Sequence, residues 1–321
     1  MKLFTRTALA VLVAAATASA AWADAREVRI ASHVSEFSPL HAQSKLFAEE
    51  IETRLPGQFV FKLYPSGQLG KEKDLMANVQ AGAIEMINVA SGVMKLDKKL
   101  GVFDLPWLFY NREHIRRAMA AGLEDAVRSR IEEVGNVKVI GVYENGFRPV
   151  LNTQRPIVEP FDLEGLKIRI SGGKFRQGVF QQMGAQPQSV SWGETFTALQ
   201  SGVVDGAEAA IYGFYEQKQY EVAKYLSLTS HVYTPSFLLA STRFMDSLTD
   251  VFIEVGRAIT DHAYKISEEL EQKYIGEMNV QTEVNAVDLE KFQAATAKSY
   301  DAYIESQGDD YLKFVRETAK K

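Results

Sequence analysis

Strand-like and helix-like patterns of hydrophobic residues follow one another along the first half of this chain. Apolar and polar residues alternate in residues 27–34 and 58–65, which is typical of a half-buried strand. Between these stretches Leu40, Phe47 and Ile51 recur at roughly helical spacing. Further apolar runs of strand length cover residues 83–91 and 136–145, and helical patterns cover residues 40–55, 69–82 and 112–133. This alternation predicts an α/β protein with mostly parallel strands covered by helices.

The second half of the chain repeats the alternation and then becomes helical. Strand patterns cover residues 147–153, 166–171 and 225–240, and helical patterns lie near residues 173–184 and 193–202. Residues 248–274 form one long amphipathic pattern without a proline, which predicts a single long helix. The tail from about Asp288 is polar and helical.

No internal repeat and no low-complexity linker separates the two halves, so domain borders must lie inside structured segments. We place them near Asn145, Thr234 and Gly276. This gives a first lobe of residues 24–146 and 235–275 and a second lobe of residues 147–234 and 276–321. A chain that crosses between two lobes several times makes a stiff hinge, and hinge closure around a small ligand would follow from it.

The first residues have the pattern of a secretory signal peptide. Lys2 and Arg6 precede an apolar run over residues 8–21, and Ala21-Trp22-Ala23 supplies the small-x-small cleavage pattern. The alternative is a buried N-terminal helix. We expect residues 1–23 to be removed, the mature protein to begin at Asp24, and the protein to be periplasmic.

Composition narrows the classes of function. Loss of Lys2 and Arg6 moves the formal net charge from -5 to -7, which disfavours nucleic acid as a partner. The chain has no cysteine, which excludes thiol catalysis, iron–sulfur clusters and cysteine zinc sites. No run of about 18 apolar residues follows the leader, so we expect a soluble mature protein, and a monomer.

Known catalytic and cofactor motifs do not fit this sequence. Gly172-Gly173-Lys174 resembles part of a phosphate-binding loop, but Ile168 stands where that loop needs a glycine and Phe175 replaces its Ser or Thr. The five histidines show no metal-ligand spacing, and neither G-x-G-x-x-G nor G-x-S-x-G occurs. We therefore expect neither a cofactor nor a metal, and we do not expect an enzyme.

The stretch GLKIRISGG, residues 165–173, is better suited to binding. Arg169 comes at the end of a predicted strand, where ligands collect in α/β sheets, and two glycines follow before a helix. An arginine can hold a carboxylate through two parallel hydrogen bonds. Exposed backbone N–H groups at Ser171, Gly172 and Gly173 would add an anion-binding site. The alternative is an ordinary arginine on the exposed face of the strand.

Other residues are weaker candidates with ordinary alternatives. Arg148, after an Asn-Gly turn, is either a second anion contact or a surface arginine. Trp192 is a core anchor or a wall against the ligand. Tyr212, soon after Glu208, is of a type found more often in the core than in a site. His33, after the first strand, is a polar ligand contact or a cap.

Several of these stretches occur together in one known family. In order along the chain they are YPSGQLG, DLPWLF, NGFR, LEGLKIRISG, FTALQSGVVDGAE and YEVAKYLSLTSH, at residues 64–70, 104–109, 145–148, 163–172, 196–208 and 220–231. Their order and spacing resemble the extracytoplasmic solute receptors of tripartite ATP-independent periplasmic (TRAP) transporters, of the C4-dicarboxylate receptor type. The resemblance spans roughly residues 28–311. It implies a two-lobed periplasmic binding protein fold with mixed sheets flanked by helices, a ligand cleft between the lobes and one long helix across both.

The resemblance also assigns roles to residues. It implies that Arg169 forms the main salt bridge to a ligand carboxylate and that Arg148 assists. Trp192 matches an aromatic wall of the ligand site, and His33 matches a frequent polar contact. This sequence departs from the family where an asparagine often completes carboxylate recognition, because Ala209 follows the DGAE motif.

A second departure concerns the opposite wall of the site. Ala90 and Ser91 match positions where sugar-acid receptors of the family often carry a glutamate and a serine, and Ala90 cannot supply that carboxylate. Because Ala90 and Ala209 remove polar contacts, the sequence favours a ligand with an apolar or aromatic body, or a hydroxy acid. Sugar acids and C4-dicarboxylates stay open.

The function implied is capture of a small-molecule organic acid and its delivery to the integral membrane permease subunits of a TRAP transporter. Two alternatives remain at this point. One is a ligand sensor that reports to a signalling protein, and the other is a periplasmic hydrolase or lyase on a two-lobed fold.

Overall fold

The fold is built on one mixed sheet of nine strands, in a computed structural model that describes residues 25–245 and 249–319. The strand order is β2-β1-β3-β8-β4-β7-β5-β6, and β9 pairs with β8. The pairs β1–β2, β1–β3, β5–β6, β5–β7 and β8–β9 are parallel, whereas β3–β8, β4–β7 and β4–β8 are antiparallel. The strands are β1 Arg26–Ala31, β2 Phe59–Tyr64, β3 Met86–Val89, β4 Val137–Asn152, β5 Lys167–Ile170, β6 Gln186–Ser189, β7 Gly206–Glu208, β8 Tyr225–Ser241 and β9 Glu283–Asn285.

Two long strands divide this sheet into a first half-sheet (β2, β1, β3) and a second half-sheet (β7, β5, β6). The strands are β4, with 16 residues, and β8, with 17, and they pair along most of their length. Residues 136–145 and 147–153 were expected as separate strands. That expectation is wrong, because β4 continues through Gly146, whose φ of 119° and neighbouring bulge bend the strand without ending it.

The predicted lobe borders fall on this long ladder. Gly146 pairs with Thr234 and Glu144 pairs with Pro235, so the borders after residues 146 and 234 lie opposite each other on neighbouring strands. The same two strands therefore carry both crossings, which agrees with a stiff hinge. The exact borders stay a prediction.

Helices cover both faces of the sheet, and their ends carry the residues that favour ends. Ser38, Asn111 and Asp288 cap helix N-termini by accepting a backbone N–H, and Gly82 ends a helix in the left-handed conformation. The helices are α1 Pro39–Arg54, α2 Glu72–Ala81, α3 Arg112–Ala118, α4 Glu124–Gly135, α5 Lys174–Gln182, α6 Thr195–Gln200, α7 Ile211–Glu216, α8 Thr242–Met245, α9 Thr249–Ala258, α10 Thr260–Met278, α11 Leu289–Thr296, α12 Lys298–Gln307 and α13 Asp310–Ala319.

Two helical predictions need correction. Residues 249–274 do not form one helix, because α9 and α10 are separated at Ile259. Residue 248, the first of the predicted helix, lies outside the described residues. The pattern over residues 112–133 is likewise broken between α3 and α4, where Gly122 has a φ of 118°. Neither break contains a proline.

Packing of aromatic side chains fixes helices to the first half-sheet. Phe252 of α9 contacts Phe47 of α1 and Phe59 of β2 edge-to-face, with ring centres 5.5 and 5.4 Å apart. In the second half-sheet, Val179 and Phe180 of α5 are fully buried in one apolar cluster with Ile168 of β5. Burial of this kind contributes roughly 1.5–3 kcal/mol for each large side chain.

The signal peptide predicted at residues 1–23 lies outside the described residues. Within residues 25–245 and 249–319, no helix combines the length and apolar character needed to cross a membrane.

Candidate ligand-binding site

A cavity of about 430 Å³ lies between the two half-sheets, a volume suited to a small metabolite. Its walls come from the segments that follow β1, β3, β5, β6 and β7, so the carboxyl ends of parallel strands face it, as the position of Arg169 predicted. Seven of the predicted site residues line it: His33, Ser91, Arg148, Arg169, Trp192, Ala209 and Tyr212. The eighth, Glu208, is fully buried beneath the wall.

Arg169 is 3% exposed, so it is not a surface arginine. Its Nε donates to the carbonyl of Val190 at 2.9 Å, and Nη1 makes a weak contact of 3.5 Å with the carbonyl of Glu208. The guanidinium lies 5.1 Å from the centre of the Trp192 ring. Burial lowers the pKa of Arg169 to about 10, despite the opposing effect of Glu208. A guanidinium has five N–H donors, so several remain for a ligand.

The other buried arginines are neutralised inside the protein. In the described part of the chain there are three of them, and each has a carboxylate partner: Arg128 with Glu124, Arg148 with Glu208, and Arg176 with Asp104. Arg169 has no carboxylate within 4 Å among the described residues. A buried, unpaired charge is costly, and a ligand carboxylate would remove that cost.

Arg148 reaches the cavity wall with its charge already matched. Its Nε and Nη2 donate to the two carboxylate oxygens of Glu208, the latter at 3.0 Å, and Nη2 also donates to the Glu208 carbonyl at 2.9 Å. Burial would raise the pKa of Glu208, but the Arg148 and Arg176 cations hold it well below its usual range. Glu208 is thus a positioning residue, and it does not line the cavity.

The anion-binding site predicted from the backbone N–H groups after β5 is not formed. The backbone N–H of Ser171 donates to Glu208 Oε1 at 3.2 Å, so this donor is already used. Gly172 and Gly173 do not line the cavity. Their φ angles of 94° and 105° instead turn the chain into α5.

Trp192 forms a wall beside Arg169, and its position depends on a glycine. A Cβ atom on Gly213 would lie 2.7 Å from Trp192 Cζ2, so only glycine lets the ring seat there. The indole Nε1 donates to Glu216 at 3.1 Å, and Glu216 also accepts from the backbone and hydroxyl of Ser35, beyond β1, at 3.2 and 2.7 Å. Burial raises the pKa of Glu216 to about 7.

Tyr212 and Asn145 form a polar pair on the same wall as Ala209. The Tyr212 hydroxyl donates to the side-chain oxygen of Asn145, and burial raises the pKa of Tyr212 well above its usual range. The amide NH₂ of Asn145 has no hydrogen-bond partner among the described residues, and Asn145 lines the cavity. Asn145 therefore places an amide at the cavity, although Ala209 stands where the family often has an asparagine. The NGFR motif contains Asn145, but its side chain could not be placed from the sequence.

A carboxylate also reaches the wall at Ala90. Glu72, at the start of α2, accepts from the backbone N–H groups of Ala90 and Gly92 at 3.1 and 3.0 Å. Its Oε1 lies 3.9 Å from His33 Nε2. Burial alone would raise the pKa of Glu72, but His33 and these N–H groups lower it, and burial lowers the pKa of His33. Sequence reasoning missed Glu72, because an acid in the first turn of a helix is commonplace.

Lysines add positive charge around the cavity. Lys71 pairs with Glu194 at 2.7 Å across the cleft, and both side chains are exposed. Lys73 and Lys95 also line the cavity, and neither has a carboxylate within 4 Å in the part of the chain that the structure describes. The site therefore carries more fixed cations than anions and favours a negatively charged ligand.

Sequence comparison assigns this architecture to a family. A family model described as DctP, bacterial extracellular solute-binding protein, family 7, matches residues 30–307. The chain belongs to this family. This DctP-family protein is therefore a periplasmic solute-binding protein of the TRAP type, as the motifs predicted.

Relatives of the same type are found both in sequence and in solved structures. The chain is 28% identical over 319 residues to the 2,3-diketo-L-gulonate-binding periplasmic protein of Escherichia coli, covering 96% of each chain. A TRAP periplasmic solute-binding protein of a Polaromonas species, bound to D-erythronate, is 28% identical with a TM-score of 0.86, covering 91% of this chain and 98% of that one. The sugar-acid-binding protein of Advenella mimigardefordensis, in complex with galactonate, is 26% identical with a TM-score of 0.87, covering 92% and 98%.

Proposed function

We propose that this receptor captures a hydroxylated organic acid by its carboxylate and delivers it to the integral membrane subunits of a TRAP transporter. The observation that supports this most is Arg169, a buried guanidinium that faces the cavity without a carboxylate of its own. A bound carboxylate would accept two parallel hydrogen bonds from it and replace the water lost on burial. Arg148, already neutralised by Glu208, would donate to the same group without adding net charge.

The ligand body that fits best is a short polyhydroxy chain. The wall opposite Arg169 carries the carboxylate of Glu72, the imidazole of His33 and the hydroxyl of Ser91, and all three can bind ligand hydroxyls. The relatives bind D-erythronate, galactonate and 2,3-diketo-L-gulonate, which are sugar acids of four or six carbons. These groups favour a hydroxy acid over the apolar or aromatic ligand that Ala90 and Ala209 left open.

We further propose that the protein works as a monomer and releases its ligand unchanged. The role in transport, rather than in sensing, is supported by the relatives of the same type. Prolonged incubation with a bound acid should return the acid without turnover, and chromatography with light scattering should give a mass near one chain of 35.8 kDa, less the leader.

A thermal-shift screen tests the proposal. Ligands that bind only the native state raise its melting temperature by mass action, so aldonic, uronic and C4-dicarboxylic acids should be compared with their neutral alcohols or amides. We expect stabilisation by one or more hydroxylated acids and none by the neutral analogues. Stabilisation by neutral sugars alone would contradict the proposal.

A further inference from the structure

Arg176 of α5 contacts both sides of the cleft although it is fully buried and does not line the cavity. On the side of the first half-sheet, its Nη2 pairs with Asp104 and its Nη1 lies 3.4 Å from the hydroxyl of Ser91. On the side of the second half-sheet, Nη1 donates to the hydroxyl of Ser171 at 2.6 Å and lies 3.4 Å from Glu208 Oε1. One guanidinium thus joins segments that follow β3 and β5 to the last residue of β7.

These contacts extend into a buried row of alternating charges. Arg148, Glu208, Arg176 and Asp104 follow one another in ion-pair contact, and each is at most 4% exposed. The row begins at the cavity wall with Arg148 and ends with Asp104, beyond the cleft. Its four charges cancel, so removing one member leaves the buried row with an uncompensated charge.

The backbone around this row is packed too closely for other side chains. A Cβ atom on Gly173 would lie 2.9 Å from Asp104 Oδ2, and one on Gly101 would overlap the ring of Phe175. Gly101 and Asp104 belong to the 3-10 segment Lys98–Asp104, and Phe175 belongs to the first turn of α5. The start of α5 is therefore seated directly on a segment of the opposite side.

We propose that the Asp104–Arg176 ion pair is a latch that holds the two half-sheets in the ligand-enclosing arrangement, with Glu208 carrying its effect to Arg148. Asp104 and Arg176 are positioning residues, since neither lines the cavity. The inference rests on the proposed function only where ligand affinity is measured. Motion that separates the half-sheets must break this pair, because its partners lie on opposite sides. Lys71–Glu194 also crosses the cleft, but its exposed charges keep their water and contribute little.

The test compares Asp104→Asn with Glu194→Gln, which removes the exposed cross-cleft pair at the partner that does not line the cavity and serves as the matched control. Binding of D-erythronate and D-galactonate is measured by calorimetry and stopped flow at a temperature where every variant is folded. We expect Asp104→Asn to weaken binding at least tenfold, mainly through faster dissociation, and Glu194→Gln to change it less than twofold. Unchanged affinity for Asp104→Asn, with only a lower melting temperature, would show an ordinary structural ion pair and overturn the latch.

A second readout needs no ligand. Because the chain has no cysteine, Gln68→Cys and Gln188→Cys introduce two labelling positions, both exposed and on opposite sides of the cleft. Spin-label distances should shift to longer values in Asp104→Asn and stay unchanged in Glu194→Gln. Identical distributions in all three proteins would overturn the latch, whereas lack of binding to every acid by wild type would count against the proposed function alone.

A double variant covers the case in which Asp104→Asn does not fold. Asp104→Asn/Arg176→Gln removes both charges of the pair and leaves Glu208 with Arg148, so it should fold. We expect it to show the longer distances and the weaker affinity. Wild-type distances in this double variant would contradict the proposal.

Discussion

The guanidinium of Arg169 lies 5.1 Å from the centre of the Trp192 ring and has no carboxylate within 4 Å among the described residues. Stacking on an indole and one good hydrogen bond to the Val190 carbonyl replace only part of the hydration that burial removes. The remaining donors are held in place before any ligand arrives. Binding therefore costs little side-chain ordering, which is the advantage of a preorganised site.

Replacing Arg169 should remove most of the affinity for an acid. Arg169→Ala should cost about 3–5 kcal/mol of binding free energy, since it takes one partner from a buried charged pair. Arg169→Lys should also impair binding, because lysine keeps the charge and loses the fork. Calorimetry on both variants checks this, with Arg257→Ala as control, since Arg257 pairs with Asp125 at the exposed surface. Equal affinity in Arg169→Ala would remove Arg169 from the role.

Trp192 can be displaced by a substitution at Gly213, on the helix that packs against its ring. Gly213→Ala places a methyl group where the ring now lies, so the ring must move and its contact with Arg169 must loosen. We expect the affinity for the acid to fall about tenfold. We also expect ligand binding to cause a smaller or spectrally shifted change in tryptophan fluorescence than it causes in wild type. Gly193→Ala is the control, because a Cβ there meets nothing within 4 Å. Equal losses in both variants would show a general effect of alanine.

Glu216 should make stability depend on pH. Its pKa is raised to about 7 by burial, so between pH 4.5 and 7 the folded state binds its proton more tightly than the unfolded state does. The contribution of Glu216 to the free energy of unfolding therefore falls as pH rises through this window, by about 3 kcal/mol at most. Buried His33 and His231, whose pKa values are lowered, act in the opposite direction below about pH 6.5. Wild type must therefore be compared with Glu216→Gln.

Urea unfolding of both proteins at several pH values measures this difference. The free energy of unfolding of wild type, relative to Glu216→Gln, should decrease steadily from pH 5 to pH 8. A difference that is constant across this range would show that Glu216 ionises as an exposed carboxylate does.

Glu72 should select for ligand hydroxyls. Glu72→Gln keeps the size of the side chain but weakens its acceptance of hydrogen bonds, so a hydroxylated acid should lose about 1–2 kcal/mol of binding free energy. A deoxy analogue with the same carboxylate should lose less. Titration of both acids into both proteins measures the effect as a coupling between residue and hydroxyl. Equal losses for the two ligands would indicate that Glu72 acts only on the backbone of Ala90 and Gly92.

Local patterns in the sequence predicted the elements better than the joins between them. Period-two alternation located β1 and β2, in which buried and more exposed positions partly alternate. The long β8, predicted as one strand over residues 225–240, is buried along most of its length. The join at Gly146 could not be anticipated, since Asn-Gly is a strong turn signal and only pairing with β8 keeps the strand continuous. The break at Ile259 similarly carries no proline or glycine at that position.

The residues of the site likewise differ in how far local sequence could predict them. The position of Arg169 at the cavity was predictable because a strand end next to glycines marks the ligand edge of an α/β sheet, and its role in binding stays a prediction. Glu72 and Asn145 come from other segments, and their side chains meet the cavity only after folding. The Asp104–Arg176 pair could not be predicted either, since its two residues lie 72 positions apart and no local pattern relates them.

A crystal structure with the acid that stabilises the protein most would show whether Arg169 holds the ligand carboxylate. We expect a ligand carboxylate within about 3 Å of the Arg169 Nη atoms, in a two-pronged contact beside Trp192. A carboxylate bound instead at Lys95 or outside the cavity, with Arg169 still unpaired, would contradict this expectation.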